Sequence, residues 1–89
     1  MFSGIVAGLG IVEHIEDKNQ LRHIRVRLPE KTNDNISQGA SISLDGVCLT
    51  VVEFSEHTAS FDIINETLIR TTLSKVEIGD MINIERAMK

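Results

Sequence analysis

The chain of 89 residues is long enough for one small domain with a modest core, and its stability margin is expected to be thin. Its net charge of −4, with nine Lys and Arg scattered rather than clustered, argues against nucleic acid or an anionic membrane surface as a partner. Three Phe with no Trp or Tyr cannot build a stacking platform for single-stranded nucleic acid, and 42% hydrophobic with 25% charged residues is too apolar for disorder. The single cysteine, Cys48, forms no internal disulfide and asks for no oxidising compartment. The N-terminus lacks the basic segment and long apolar run of a secretory signal, so a cytoplasmic location is expected.

In chain order the dominant period is two. IVAGLGIV (5–12) is apolar and carries Gly8 and Gly10, which predict a bulge or sharp coil in a first strand. LRHIRVRLP (21–29) sets Ile24, Val26 and Leu28 against His23, Arg25 and Arg27, and Pro29 ends it. EKTNDNISQG (30–39) is polar and turn-rich, with room for one short helical turn. SISL (41–44) and VCLTVVEF (47–54) flank Asp45-Gly46, the dipeptide of a two-residue type I′ hairpin. SEHT (55–58) predicts a further turn before the strand ASFDII (59–64). Asn65 is a candidate cap for a short helix with Glu66 in its first turn, weakened by Thr71, Thr72 and Ser74. Gly79-Asp80 turns the chain into MINIERA (81–87). The layout is all-β: six short strands and one or two short helices, a small closed antiparallel barrel that leaves no exposed strand edge.

Parity picks out a candidate site. In VCLTVVEF the even positions include Cys48 and Thr50, and in SFDII they include Asp62. If the two strands are neighbours, the three side chains share a face. Taken singly, Cys48 reads as a small core residue, Thr50 as a strand former and Asp62 as a strand-end residue. Together, beside a helix start at Glu66-Thr67, they also suit a small neutral ligand bearing hydroxyls and amides. His14, His23 and His57 fall on different elements without ligand spacing; they read as solvated, and no metal site is expected. Nothing in the spacing places a histidine beside Cys48, so a Cys–His nucleophile pair has no support. On residues alone, the opening Phe2-Ser3-Gly4 is no more than a barrel plug.

MFSGIVAGLG, GASISLDGVCLTV, FDIINETLIRTTL and VEIGDMINIERA together resemble the N-terminal barrel of riboflavin synthase of the α-subunit type, across essentially the whole chain. The resemblance implies a six-stranded Greek-key barrel. Enzymes of that family carry two similar barrels, so residues 1–89 are expected to be a single lumazine-binding barrel, the N-terminal half of a two-barrel enzyme and here a fragment. The implied reaction is a dismutation in which two molecules of 6,7-dimethyl-8-ribityllumazine exchange a four-carbon unit, giving riboflavin and a ribitylamino-pyrimidinedione without metal or organic cofactor. Holding two rings face to face would supply much of the catalysis.

Carried onto matching positions, the resemblance makes Gly4, Ile5 and Val6 ring neighbours, with Cys48, Leu49 and Thr50 lining the pocket from the hairpin arm. Asp62, Ile63, Ile64, Asn65, Glu66 and Thr67 form the opposite wall, where backbone groups of 62–64 meet the ring's amide edge. Cys48 is the implied catalytic residue, with Phe2 and Ser3 in support. Ser3 stands where Thr is commoner, and Asn65 where relatives often carry Pro or Lys. In the family the active site joins barrels of different subunits of a homotrimer, so an isolated barrel is expected to bind ligand well, turn over poorly and self-associate as a homodimer. Two rival readings differ in class. A non-enzymatic lumazine or flavin antenna protein tends to lose Cys48 and the ETLIRTT-like segment, both present here; an oligonucleotide-binding barrel conflicts with the acidic charge and few aromatics.

Overall fold

The computed structural model describes residues 8–29, 36 and 38–86. Seven strands form one antiparallel sheet: β1 (Gly8–Lys18), β2 (Leu21–Arg27), β3 (Ser41–Leu44), β4 (Val47–Thr50), β5 (Glu53–Ser55), β6 (Thr58–Ile64) and β7 (Met81–Arg86). A short helix, α1 (Asn65–Arg70), and a 3-10 turn at Thr72–Ser74 separate β6 from β7. The strand order is β4-β3-β7-β1-β2-β6-β5.

β4 and β5, at opposite ends of that order, are consecutive pieces of one run. Val51 N–H donates to Ala40 O at 2.8 Å, on the β3 side, and Val52 N–H donates to Ser60 O at 2.9 Å, on the β6 side. The ends of the sheet therefore meet at Val51-Val52, and the sheet curls round a core that draws on every long strand: Val12, Ile24, Val26, Ile42, Leu44, Phe61, Ile63, Ile82 and Ile84 are buried. The stretch 47–54, expected as one strand, is two, because inward parity changes inside it. Val47, Leu49 and Val51 face the core, and after the break it is Phe54 that packs there. One strand cannot keep two parities, so the chain kinks and exchanges partners.

Other expectations shift for local reasons. β1 runs on to Lys18, well past residue 12, because β2 pairs with it all the way to Lys18↔Leu21. Its register shift falls between Val12 and His14, not at the glycines. Gly10 is instead a close approach: a Cβ there would lie 2.8 Å from Val26 Cγ1 and 2.9 Å from Arg27 O. The bulge turns Glu13 towards Arg27, with an Oε2–Nε distance of 2.6 Å. Asp45 and Gly46 both have positive φ, 48° and 85°, as the type I′ hairpin requires. The next turn is tighter than 55–58, since Ser55 and Thr58 already pair and Glu56 takes φ 52°. Asn65 does not cap α1 with its side chain; Ile64 holds the cap position, and Asn65 N–H donates to Gln20 O at 2.9 Å. The helical turn expected within 30–39 falls largely outside the described residues.

Arg22 fastens the helical segment to the barrel. Its guanidinium meets Asp17 at 2.7 Å and also donates to the carbonyls of Leu73, Ser74 and Val76. The same hydrogen bond holds the Asp17 carboxyl below its ordinary range. No helix among the described residues is long and apolar enough to cross a membrane.

Candidate functional site

The partner exchange at Val51-Val52 leaves two strand edges without a ladder. Among the described residues, β4 pairs only with β3, and β5 covers β6 only from Thr58 to Ser60. β4 and the upper part of β6 lie against one another, yet among the described residues no ladder joins them.

The hydrogen bonds fix what lines this slot. Val51 bonds toward β3, donating to Ala40 O and accepting from Gly39 N–H. Bonding direction alternates along an antiparallel strand, so Leu49 and Val47 also bond toward β3, and the N–H and C=O of Cys48 and Thr50 point into the slot. On the other side, Ser60 O accepts from Val52 N–H and Asn65 N–H donates toward Gln20. Phe61 and Ile63 therefore bond toward β2, and Asp62 and Ile64 present their backbone groups to β4. Counting outward from the Val52–Ser60 bond, Thr50 comes level with Asp62, and Cys48 with Ile64. Among the described residues, the slot is bounded by facing rows of donors and acceptors that no ladder joins.

The side chains of the same four residues stand on the outer surface. Cys48, Thr50, Asp62 and Ile64 are all exposed, Ile64 at 59%. Leu49 is half-buried and turns inward, and Ile63 lies in the core with its backbone turned toward β2, so neither faces the slot. Asn65 and Glu66 are exposed on the first turn of α1, Thr67 is half-buried, and Glu66 sits 3.7 Å from Arg70. Phe2, Ser3, Gly4, Ile5 and Val6 lie outside the described residues.

His23, which reads as solvated in the sequence, stands beside this slot's β6 wall. His23 faces Asp62 across β2 and β6, and its Nδ1 lies 2.6 Å from Asp62 Oδ1. It is paired rather than merely solvated. Alternation puts both residues on an outer face, but only the β2–β6 register makes them opposite, and these strands are separated by three others in sequence.

Residues 3–87 match the family model described as the lumazine binding domain. The riboflavin synthase of Escherichia coli (strain K12) is 42% identical over 89 residues, which is all of this chain and 42% of that protein. The crystal structure of LumP complexed with 6,7-dimethyl-8-(1'-D-ribityl) lumazine matches with a TM-score of 0.90 at 29% identity, covering 100% of this chain and 49% of that one. The structure of LumP complexed with riboflavin matches at 0.87 and 31% identity, covering 97% and 46%. The chain thus spans less than half the length of these relatives. A match running from residue 3 to residue 87 covers every strand described above, and the chain belongs to the lumazine-binding domain family, in its riboflavin synthase-like form.

Proposed function

We propose that the slot between β4 and β6 binds the ring of a lumazine or flavin. The observation that carries this reading is the pair of unladdered edges, because a pteridinedione ring presents alternating N–H and C=O groups along one rim. The backbone groups of Cys48, Thr50, Asp62 and Ile64 match that rim, and exposed Ile64 offers an apolar contact for the ring's methyl-bearing side. Ribityl hydroxyls suit Thr50, Asp62, Glu66 and Thr67, all short polar side chains on the two walls and on α1. Gly4, Ile5 and Val6 complete the ring contacts in this reading.

The activity we propose for a chain carrying both barrels is the dismutation of two 6,7-dimethyl-8-ribityllumazine molecules to riboflavin and a ribitylamino-pyrimidinedione. Positioning two rings face to face supplies most of the rate, with the Cys48 thiol at the mouth of the slot and Phe2 and Ser3 in support. No organic cofactor is required, since one substrate molecule donates the carbon unit that the other accepts. With a single barrel present, binding should exceed turnover. Titration of riboflavin should quench its fluorescence at one ligand per chain; failure of riboflavin and the lumazine alike to bind would sink the proposal.

Self-association as a homodimer belongs to the same reading, in place of the homotrimer proposed for a two-barrel chain. Leu9 and Ile11 on β1 and Met81 on β7 are exposed apolar residues, and Ile11 pairs directly with Met81. A second copy would cover such a face through a twofold contact. Sedimentation equilibrium with and without riboflavin tests this; a ligand-indifferent monomer would refute it. A cytoplasmic location is proposed on the lone cysteine.

A further inference from the structure

We infer that His23 is a positioning residue for ligand binding: it holds the Asp62 carboxylate by one oxygen and leaves the other to receive a polyol hydroxyl. The inference rests on the slot being the lumazine or flavin site. His23 and Asp62 are direct cross-strand partners on β2 and β6, and both side chains stand on the outer face. Only Oδ1 is engaged, at 2.6 Å from Nδ1. A carboxylate oxygen is the acceptor in such a pair, and a ring N–H at Nδ1 is the donor that suits it. Oδ2 has no partner among the described residues, and neither does Nε2 of His23.

Geometry gives the pair its directionality. β2 lies on the side of β6 away from β4, so His23 grips Asp62 from behind the slot. Asp62 is also the residue that comes level with Thr50 across the opening. An unheld aspartate at a strand surface samples several rotamers and must be ordered when ligand arrives, whereas a carboxylate already fixed through Oδ1 is ordered in advance. The His23 side chain, 23% exposed against 45% for Asp62, is the more enclosed partner and so the natural anchor. The pair thereby selects ligands that place a hydroxyl donor beside the ring, which a ribityl chain does and a bare ring does not.

The test uses riboflavin and lumichrome, a flavin ring without the ribityl chain, with wild type, His23→Val, His23→Asn, Asp62→Ala and the double variant His23→Val/Asp62→Ala. Val keeps the strand propensity but removes the donor, and the Asn amide nitrogen reproduces the position of Nδ1. His23→Val should weaken riboflavin binding about three- to tenfold, the scale of ordering one side chain on binding. His23→Asn should restore most of the affinity, His23→Val should add nothing in the Asp62→Ala background, and lumichrome should bind all variants alike. A His23→Val variant that binds riboflavin as wild type does, or weakens it equally without Asp62, overturns the inference while leaving the ring site standing. If wild type binds neither riboflavin nor 6,7-dimethyl-8-ribityllumazine, the proposed site itself falls, and this inference with it.

Discussion

β2 and the run from Val47 to Ser55 lie on either side of β6 in the same small barrel, and they are held in opposite ways. Every residue of β2 from Leu21 to Arg27 is paired twice, with β1 on one side and β6 on the other. The 47–55 run is laddered on one side at a time, first by β3 and then by β6. Both stretches alternate and both bury apolar side chains, so composition does not separate them. The difference lies in where backbone groups are spent. A doubly laddered strand has none left for a ligand, and a strand that changes partners exposes a row of them at the exchange. In the proposed reading, stability and recognition fall to different walls of one barrel.

The sharpest way to test that division is to damage the core behind β2, where Phe61 of β6 is the cross-strand partner of Ile24. Phe61, fully buried on β6, should cost about 3–5 kcal/mol when replaced by Ala, enough to threaten so small a domain. Cys48→Ala, on the slot edge, should change stability by less than about 0.5 kcal/mol. Urea unfolding of the two variants reads the contrast directly, and equal losses would break it.

A second probe overfills the contact between β1 and β2. Gly10→Ala would drive a methyl group against Val26 and the Arg27 carbonyl, and backbone cannot swing aside as a flexible side chain can. A loss of about 1–3 kcal/mol is expected, visible as a lower urea midpoint at unchanged slope.

On the slot side the expected effects move from stability to affinity. Thr50→Val and Asp62→Ala should each weaken riboflavin binding by about 1–3 kcal/mol, the range for removing one partner of a polar contact that ligand buries. Their melting curves should stay close to wild type, since both side chains are exposed in the free domain. Unchanged affinity would return the two residues to ordinary surface positions.

The smallest effect belongs to the Asp17–Arg22 pair. Arg22 holds the Asp17 carboxyl below its ordinary range, so folding favours the ionised form. That contribution is present above the ordinary carboxylate range and is lost as pH falls through the lowered value. Asp17→Asn should slightly flatten the acid limb of stability against pH, and solvent exposure of Asp17 keeps the change small. An acid limb that steepens would contradict the sign.

Short-range chemistry made much of this protein legible from its residues. Asp45-Gly46 specifies its hairpin because both positions must tolerate positive φ, a demand met locally. Alternation in LRHIRVR announces a strand with Ile24 and Val26 inside, and parity lets Cys48, Thr50 and Asp62 share a face, which the fold turns outward. Motif resemblance across the chain points to the family. What the amino-acid sequence could not state by itself was which strand edges meet. The break at Val51-Val52 follows from two incompatible inward parities that a closing sheet must reconcile. The grip of His23 on Asp62 and of Arg22 on Leu73, Ser74 and Val76 joins residues dozens of positions apart. Hydrogen-bond partners between distant strands are decided by how the whole sheet curls, and only the tertiary structure carries that information.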